Sequence, residues 1–314
     1  MVYYRTLPGQ SGCTGNRANG AALLNALQNS PLSGHYTAYN FYLQSAVDAG
    51  TLGGVQNQVG GQVYADAASF LLRRSQWIDQ AIAPYASGRD LEEGQTRVWM
   101  SGLGGGFWTG GSADAASSTE NDAGTLEGIT RRFNDRLSGD VGFGYEWGSV
   151  GSAGGSASPD TFLATLGGRY GISSLDAGPF VTARADVGSV HYESTRVLNA
   201  GLGDANGNTD GAFYGGLAGV GDLLRFAPLT FTLQTGVRVS GVHLGGFNEN
   251  GSELALDVNG IDKTYSSLLF NLGVSLDPRQ LGAWTITPAL SLGYERGCSQ
   301  IPGSKAPERF TATR

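Results

Sequence analysis

Residues 141–148 read VGFGYEWG, in which Val141, Phe143, Tyr145 and Trp147 alternate with Gly142, Gly144, Glu146 and Gly148. Successive side chains of an extended strand point to opposite faces, so this segment has one bulky apolar face and one small or charged face. The same period of two recurs downstream. Leu229, Phe231, Leu233, Val237 and Val239 alternate with Thr230, Thr232, Gln234, Arg238 and Ser240. Trp284, Ile286, Pro288, Leu290, Leu292 and Tyr294 alternate with Thr285, Thr287, Ala289, Ser291, Gly293 and Glu295. Val181, Ala183, Ala185 and Val187 oppose Thr182, Arg184, Asp186 and Gly188, while Leu269 disturbs the alternation of Leu268, Phe270, Leu272, Val274 and Leu276.

Working outward, nine strands are expected at 97–108, 122–132, 138–150, 160–172, 178–194, 210–225, 229–246, 264–276 and 283–296. The first, second and sixth have strand length but no clear facing. Between the nine lie intervals of 13, 9, 15 and 17 residues that alternate with intervals of 5, 5, 3 and 6. Long, short, long, short is the pattern of an antiparallel up-and-down barrel in a membrane, with extended loops outside and tight turns on the periplasmic side. A Greek-key sandwich has no reason to sort its loops this way. Lengths of 11–18 residues also exceed the usual five or six of soluble sheets and reach the roughly 9–11 of a tilted membrane strand.

Composition agrees. Glycine makes up 51 of 314 residues, charged residues are only 15%, and lysine occurs twice, at Lys263 and Lys305. A soluble domain is nearer 25% charged, so much of this surface is covered by something else. The mean hydropathy of -0.15 hides any membrane signal, and no apolar run approaches the roughly 18 residues of a transmembrane helix. Two classes remain: a Gly-rich soluble β protein such as an adhesin, or a transmembrane barrel whose apolar residues are diluted by alternation. A net charge of -7 argues against nucleic acid. Trp147, Tyr145, Tyr192, Phe247, Trp284 and Tyr294 fall toward strand ends, where the aromatic girdles of a barrel sit.

The polar strand faces are the candidate functional feature. A charge turned to hydrocarbon costs about 2–4 kcal/mol at the bilayer midplane, so Glu146, Arg169, Arg184, Asp186, Arg238 and Glu295 are expected to line a lumen. Upstream, residues 1–62 are polar and loosely helical and read as a linker or remnant of a preceding domain. From Val63 the period becomes 3.6, with Val63, Ala67, Phe70, Leu71, Trp77, Ile78, Ala81 and Ile82 at helical offsets, until Pro84. This helix, 63–85, carries Asp66, Arg73, Arg74 and Asp79, is about 30 Å long, and is too polar for lipid; it fits a polar lumen. A connector leads to a barrel over 95–296, and the tail 297–314, with Pro302 and Pro307, shows no alternation and reads as lying outside the barrel, as a tenth strand out of frame.

No enzymatic chemistry survives inspection. There is no GxSxG elbow or GK[ST] loop, GLGGGF at 102–107 places Phe107 where a dinucleotide loop needs Gly, and His35, His191 and His243 have no partner at ligand spacing. Asp204, Asn206, Asn208 and Asp210 have the oxygen spacing of a calcium loop but lack its central Gly and terminal Glu, so a solvated loop is the better reading. Cys13 and Cys298 stand outside any CxxC pattern. No cofactor or metal is expected.

A helix that runs straight into a next-neighbour antiparallel barrel resembles the β-domain, or translocator, of the autotransporters (type V secretion) of Gram-negative outer membranes. The carriers are VQNQVGGQVYADAASFLLRRSQWIDQAI (55–82), TRVWMSGLGGGFW (96–108) and GTLEGITRRFNDRLSGDVGFGYEWG (124–148). The resemblance implies export of an N-terminal passenger to the cell surface, with outer-membrane lipid, the barrel-assembly machinery and periplasmic chaperones as partners, and no enzyme activity. It also implies twelve strands and an aromatic last residue, where nine strands and Arg314 are read here and no signal peptide precedes them; two open edges would then be left to lipid. A free-standing channel or porin-like barrel is the other membrane reading.

Overall fold

The structure, a computed structural model, describes residues 20–22, 24, 45, 52–112, 115–152, 154–198, 202–252, 254–277, 279–281, 284–297 and 309–313. Helices α1 (Leu52–Val59), α2 (Gln62–Leu72) and α3 (Arg74–Ala86) precede the strands. The long strands are β1 (Thr96–Thr109), β2 (Ser118–Arg132), β3 (Leu137–Ser152), β4 (Gly155–Gly171), β5 (Gly178–Val197), β6 (Asp204–Phe226), β7 (Leu229–Leu244), β10 (Ile261–Leu276) and β13 (Ala289–Gly297). A hairpin of β8 (Phe247–Asn248) and β9 (Asp257–Val258) lies between β7 and β10, and β11 (Arg279–Leu281) with β12 (Trp284–Ile286) lies between β10 and β13.

One antiparallel sheet holds the long strands in chain order, β1-β2-β3-β4-β5-β6-β7-β10-β13, and ends on β14 (Arg309–Thr313). The tail expected to lie outside the barrel therefore contributes a short tenth strand, paired with β13 from Ser291↔Thr313 to Glu295↔Arg309. Five residues are too few for alternation to be read from the sequence, whereas an unpaired strand edge recruits any extended segment that reaches it. Among the described residues, β1 pairs with β2 alone.

The regular alternation of long and short loops is not kept. The β3–β4 turn is only residues 153–154, closed by Gly154 at φ +80°, and the β5–β6 connection is 198–203, because β4 and β6 begin five and six residues earlier than their patterns suggest. β6 takes in the Asp204–Asp210 run, which is extended and paired with β5, so its oxygens are spread along a strand instead of converging on an ion. Ladder hydrogen bonds override a loop-like composition where the partner strand continues. Residues 245–260 remain the long excursion at this end.

The outer face shows where the strands change medium. Along β5 the outward residues are Val181, Ala183, Ala185 and Val187, then Ser189, His191, Glu193 and Thr195. The nine residues from Val181 to Ser189 rise about 20 Å at a tilt near 40°, close to the apolar band of roughly 25 Å expected for such barrels. Phe143, Trp147, Phe162, Leu166, Val220 and Phe270 are each more than half exposed on this face.

The inner face is less uniformly small and charged than the alternation implies. Trp99, Leu103, Leu126, Leu163, Val190, Phe213 and Val242 are buried inside with Val63, Ala67, Phe70, Leu71, Ile78 and Ile82 of the helices. Tyr192 belongs there too: it is 1% exposed and packs 6.0 Å from the Phe247 ring, so neither sits in an outer girdle. Position 192 shares the parity of Phe180, Arg184 and Asp186, and parity decides facing. Conversely, Glu127 pairs with the outward Met100 and Phe143, which puts a carboxylate on the outer face.

Candidate functional site: a helix seated in a charged lumen

The helical segment extends beyond its expected bounds at both ends. α1 forms within the stretch read as a linker, and α3 continues two residues past Pro84, whose missing N–H removes a single bond of the last turn. Leu24 is fully buried, while most of residues 1–51, Cys13 and His35 among them, and Cys298 lie outside the described residues. Between α2 and α3, Arg73 (φ -89°, ψ -5°) interrupts the ladder.

That interruption places two consecutive arginines against opposite carboxylates. Arg73 donates to Glu120, and Arg74 donates to Glu146 and lies 3.5 Å from Asp122. Arg74 is 1% exposed, its guanidinium 3.7 Å over the Phe70 ring and 5.9 Å from the Trp77 ring. The next residue, Ser75, donates through Oγ to Asp186 at 2.6 Å. Asp79 accepts from Arg238 at 2.6 Å and lies 3.2 Å from Arg184 Nε. Both arginines hold a second carboxylate, Arg184 on Asp140 (2.8 and 3.1 Å) and Arg238 on Glu295 (3.0 Å). Thus β2, β3, β5, β7 and β13 each send a charge to the helix or to a residue holding it.

Two sequence-read residues stand apart. Asp66 accepts from Gln62 at 3.1 Å, one turn back on its own helix. Arg169 lies 3.9 Å over the Phe180 ring, toward the turn end of the lumen. The reading missed Glu120, Asp122 and Asp140. The expected second strand, 122–132, has no clear facing and begins after Glu120, although Glu120 and Asp122 share the inward parity of Leu126.

Glycines on the wall admit the larger helix side chains. A Cβ on Gly105 would lie 2.3 Å from the Trp77 ring, and one on Gly148 would lie 2.6 Å from Phe70. Close approach of this kind is open only to Gly.

At the loop end a second cluster closes over α1 and α2. Arg196, 1% exposed, grips Glu249 of the 245–260 loop with two bonds of 2.7 and 2.5 Å and donates to the carbonyls of Gln58, Val59 and Leu254. Tyr64 donates to the same carboxylate and packs edge-on to Phe247, 5.4 Å between centroids. At the other end Ser138 donates to the Ser87 carbonyl and Arg97 to that of Tyr85. The helices therefore run from the loop end to the turn end, where β1 begins.

Residues 98–304 match the autotransporter β-domain family. Among solved structures, the fold is similar to that of the translocator domain of autotransporter NalP from Neisseria meningitidis, with 17% identity, 80% of this chain and 84% of that one covered, and a TM-score of 0.63. The ferric preacinetobactin receptor BauA from Acinetobacter baumannii aligns over 69% of this chain and 43% of its own at 10% identity, with a TM-score of 0.31. No curated protein matches in sequence. With two thirds of its length matched to that family, and a sheet in strand order around a threaded helix, the chain belongs to the autotransporter β-domain family.

Proposed function

We propose that this barrel sits in the outer membrane of a Gram-negative bacterium, carries the segment that precedes its helix to the cell surface, and is then held shut by that helix. The observation that supports the reading is the direction and seating of α2 and α3. Their N-terminal end lies at the loop mouth against Glu249, and their C-terminal end meets β1 and β3 at the turns. A chain attached ahead of Leu52 would emerge on the side of the long loops. In such a barrel the loops are extracellular and the turns periplasmic. The partners on this reading are outer-membrane lipid, the passenger, the assembly machinery and periplasmic chaperones. The lining residues have no catalytic role in it; they seat the helix.

A porin-like pore would leave its lumen open, whereas here Arg73, Arg74 and Asp79 are each tied to the wall. The test is an epitope placed before residue 52 together with deletion of residues 63–85. Export predicts surface labelling on intact cells, and sealing predicts that the deletion raises single-channel conductance in planar bilayers. An epitope found only inside the cell, or a conductance unchanged by the deletion, would overturn the reading.

A further inference from the structure

The outer face carries a groove of about 810 Å3 that crosses β5, β6, β7, β10 and β13, with almost wholly apolar walls. Its one carboxylate is Asp222. This residue pairs with Pro179 on one side and Leu233 on the other; the row continues through Leu272 to Leu292. Leu233, Leu272 and Leu292 are 45%, 41% and 48% exposed, so the row faces outward. Asp222 Oδ1 is buried without a hydrogen-bond partner. The only arginine of its strand, Arg225, has the opposite parity and donates to Asp277. A carboxylate with one oxygen left without a partner at the edge of an apolar groove is complementary to a cation.

Depth narrows the choice. Pro179 is the second residue of β5, which leaves its turn at Gly178, so Asp222 lies level with a periplasmic turn, at the height of the inner-leaflet headgroups. Rows of paired residues slant in a tilted barrel, so the groove climbs from there into the apolar band. Four strand spacings of about 4.8 Å make it about 19 Å long, the scale of an acyl chain.

We propose that this groove holds one zwitterionic phospholipid with a primary amine headgroup, its ammonium on Asp222 and one acyl chain along the Leu233–Leu292 row. Charge complementarity selects the headgroup. An anionic glycerol headgroup brings no cation, and a trimethylated amine has no N–H to donate. The proposal rests on the outer face lying in lipid.

The test reconstitutes the full chain into vesicles of equimolar phosphatidylethanolamine, phosphatidylcholine and phosphatidylglycerol, extracts it in mild detergent, and weighs retained lipids by native mass spectrometry. Phosphatidylethanolamine should be enriched about tenfold over the other two, the worth of one charge-assisted hydrogen bond. Asp222→Asn should remove the preference, and Leu233→Trp, which fills the groove, should remove the retained lipid. Inserted protein that retains the three lipids equally, or an Asp222→Asn variant that keeps the wild-type ratio, overturns the site alone. A change on Asp222→Asn in cross-linking to a protein, with the lipid ratio unmoved, also overturns it. Failure to enter the vesicles, read as loss of heat-modifiable mobility, overturns the membrane reading with it.

Discussion

Arg196 and Glu249, 53 residues apart, meet in a two-pronged ion pair from which water is almost wholly excluded. The pair joins the end of β5 to the 245–260 loop, and the remaining donors of Arg196 reach the carbonyls of the helix entry. A buried pair of this kind adds little net stability, because desolvation offsets attraction, but loss of one partner strands the other at a cost of about 3–5 kcal/mol. Arg196→Met should therefore release the loop. Limited proteolysis of intact cells would then cut within 245–260, where the wild-type protein resists. A loop equally resistant in both proteins would show that the pair does not hold the mouth.

Arg74 poses the same question at the middle of the lumen. Arg74→Met leaves Glu146 and Asp122 facing each other without a cation, and the seat of the helix should weaken by about 3–5 kcal/mol. The double variant Arg74→Met with Glu146→Leu removes the stranded charge and should recover most of that loss. The temperature at which heat-modifiable mobility disappears measures both. Recovery would identify the damage as an orphaned carboxylate, whereas equal loss in single and double variants would mean that the Phe70 and Trp77 contacts of the guanidinium matter more.

Much of this fold was legible because lipid and lumen impose period two on every strand: Val141–Trp147 and Leu229–Val239 face as their alternation predicts. What alternation conceals is the second role of the inner face, which must also pack a helix. Trp99, Leu126 and Phe213 point inward because the helix brings Phe70, Leu71 and Ile78 to meet them. Charge pairs are hidden for a different reason. Arg74 and Glu146 are both visible as charged residues, but their meeting depends on how far the helix is inserted and on its rotation, which no local pattern encodes. Arg196 and Glu249 fall beyond the periodic segments altogether, since strands that project past the lipid lose the apolar face that marks them. The outward carboxylates Glu127 and Asp222 break the rule that charge turns inward; Asp222 lies level with the start of β5 at the turn end, where the full midplane cost does not apply.

Glycine 105 tests the fit between wall and helix. Its added Cβ would lie 2.3 Å from the Trp77 ring, and an overpacked contact costs about 1–3 kcal/mol. Gly105→Ala should lower the temperature of heat-modification, and adding Trp77→Leu should restore it. If Trp77→Leu fails to rescue, the methyl is met by something other than the indole.

Leucine 166, 63% exposed on β4, reports on the medium outside. If that face lies in lipid, Leu166→Arg should cost about 2–4 kcal/mol and strongly reduce the inserted fraction in vesicles, while Leu166→Phe should not. If water bathes it, Leu166→Arg should be nearly neutral, and folding yield in the absence of lipid should match that of the wild type.

Asp79 should behave unlike Arg74, because of what its partners keep. Arg184 and Arg238 hold Asp140 and Glu295 as well, so Asp79→Asn leaves neither arginine without a carboxylate. The loss is then one set of charge-assisted bonds, about 1–3 kcal/mol, and it falls on the attachment of α3 and not on the wall. Insertion and heat-modifiability should stay near wild type while conductance events become more frequent, as the lower half of the helix detaches and reseats. Asp79→Lys goes further: it sets a third cation between two arginines, so the closed state should be largely lost although the strands still pair. The two variants thus separate sealing from assembly. If Asp79→Asn abolished insertion outright, the helix would be part of the folding core of the barrel and not a plug docked into a wall that stands without it.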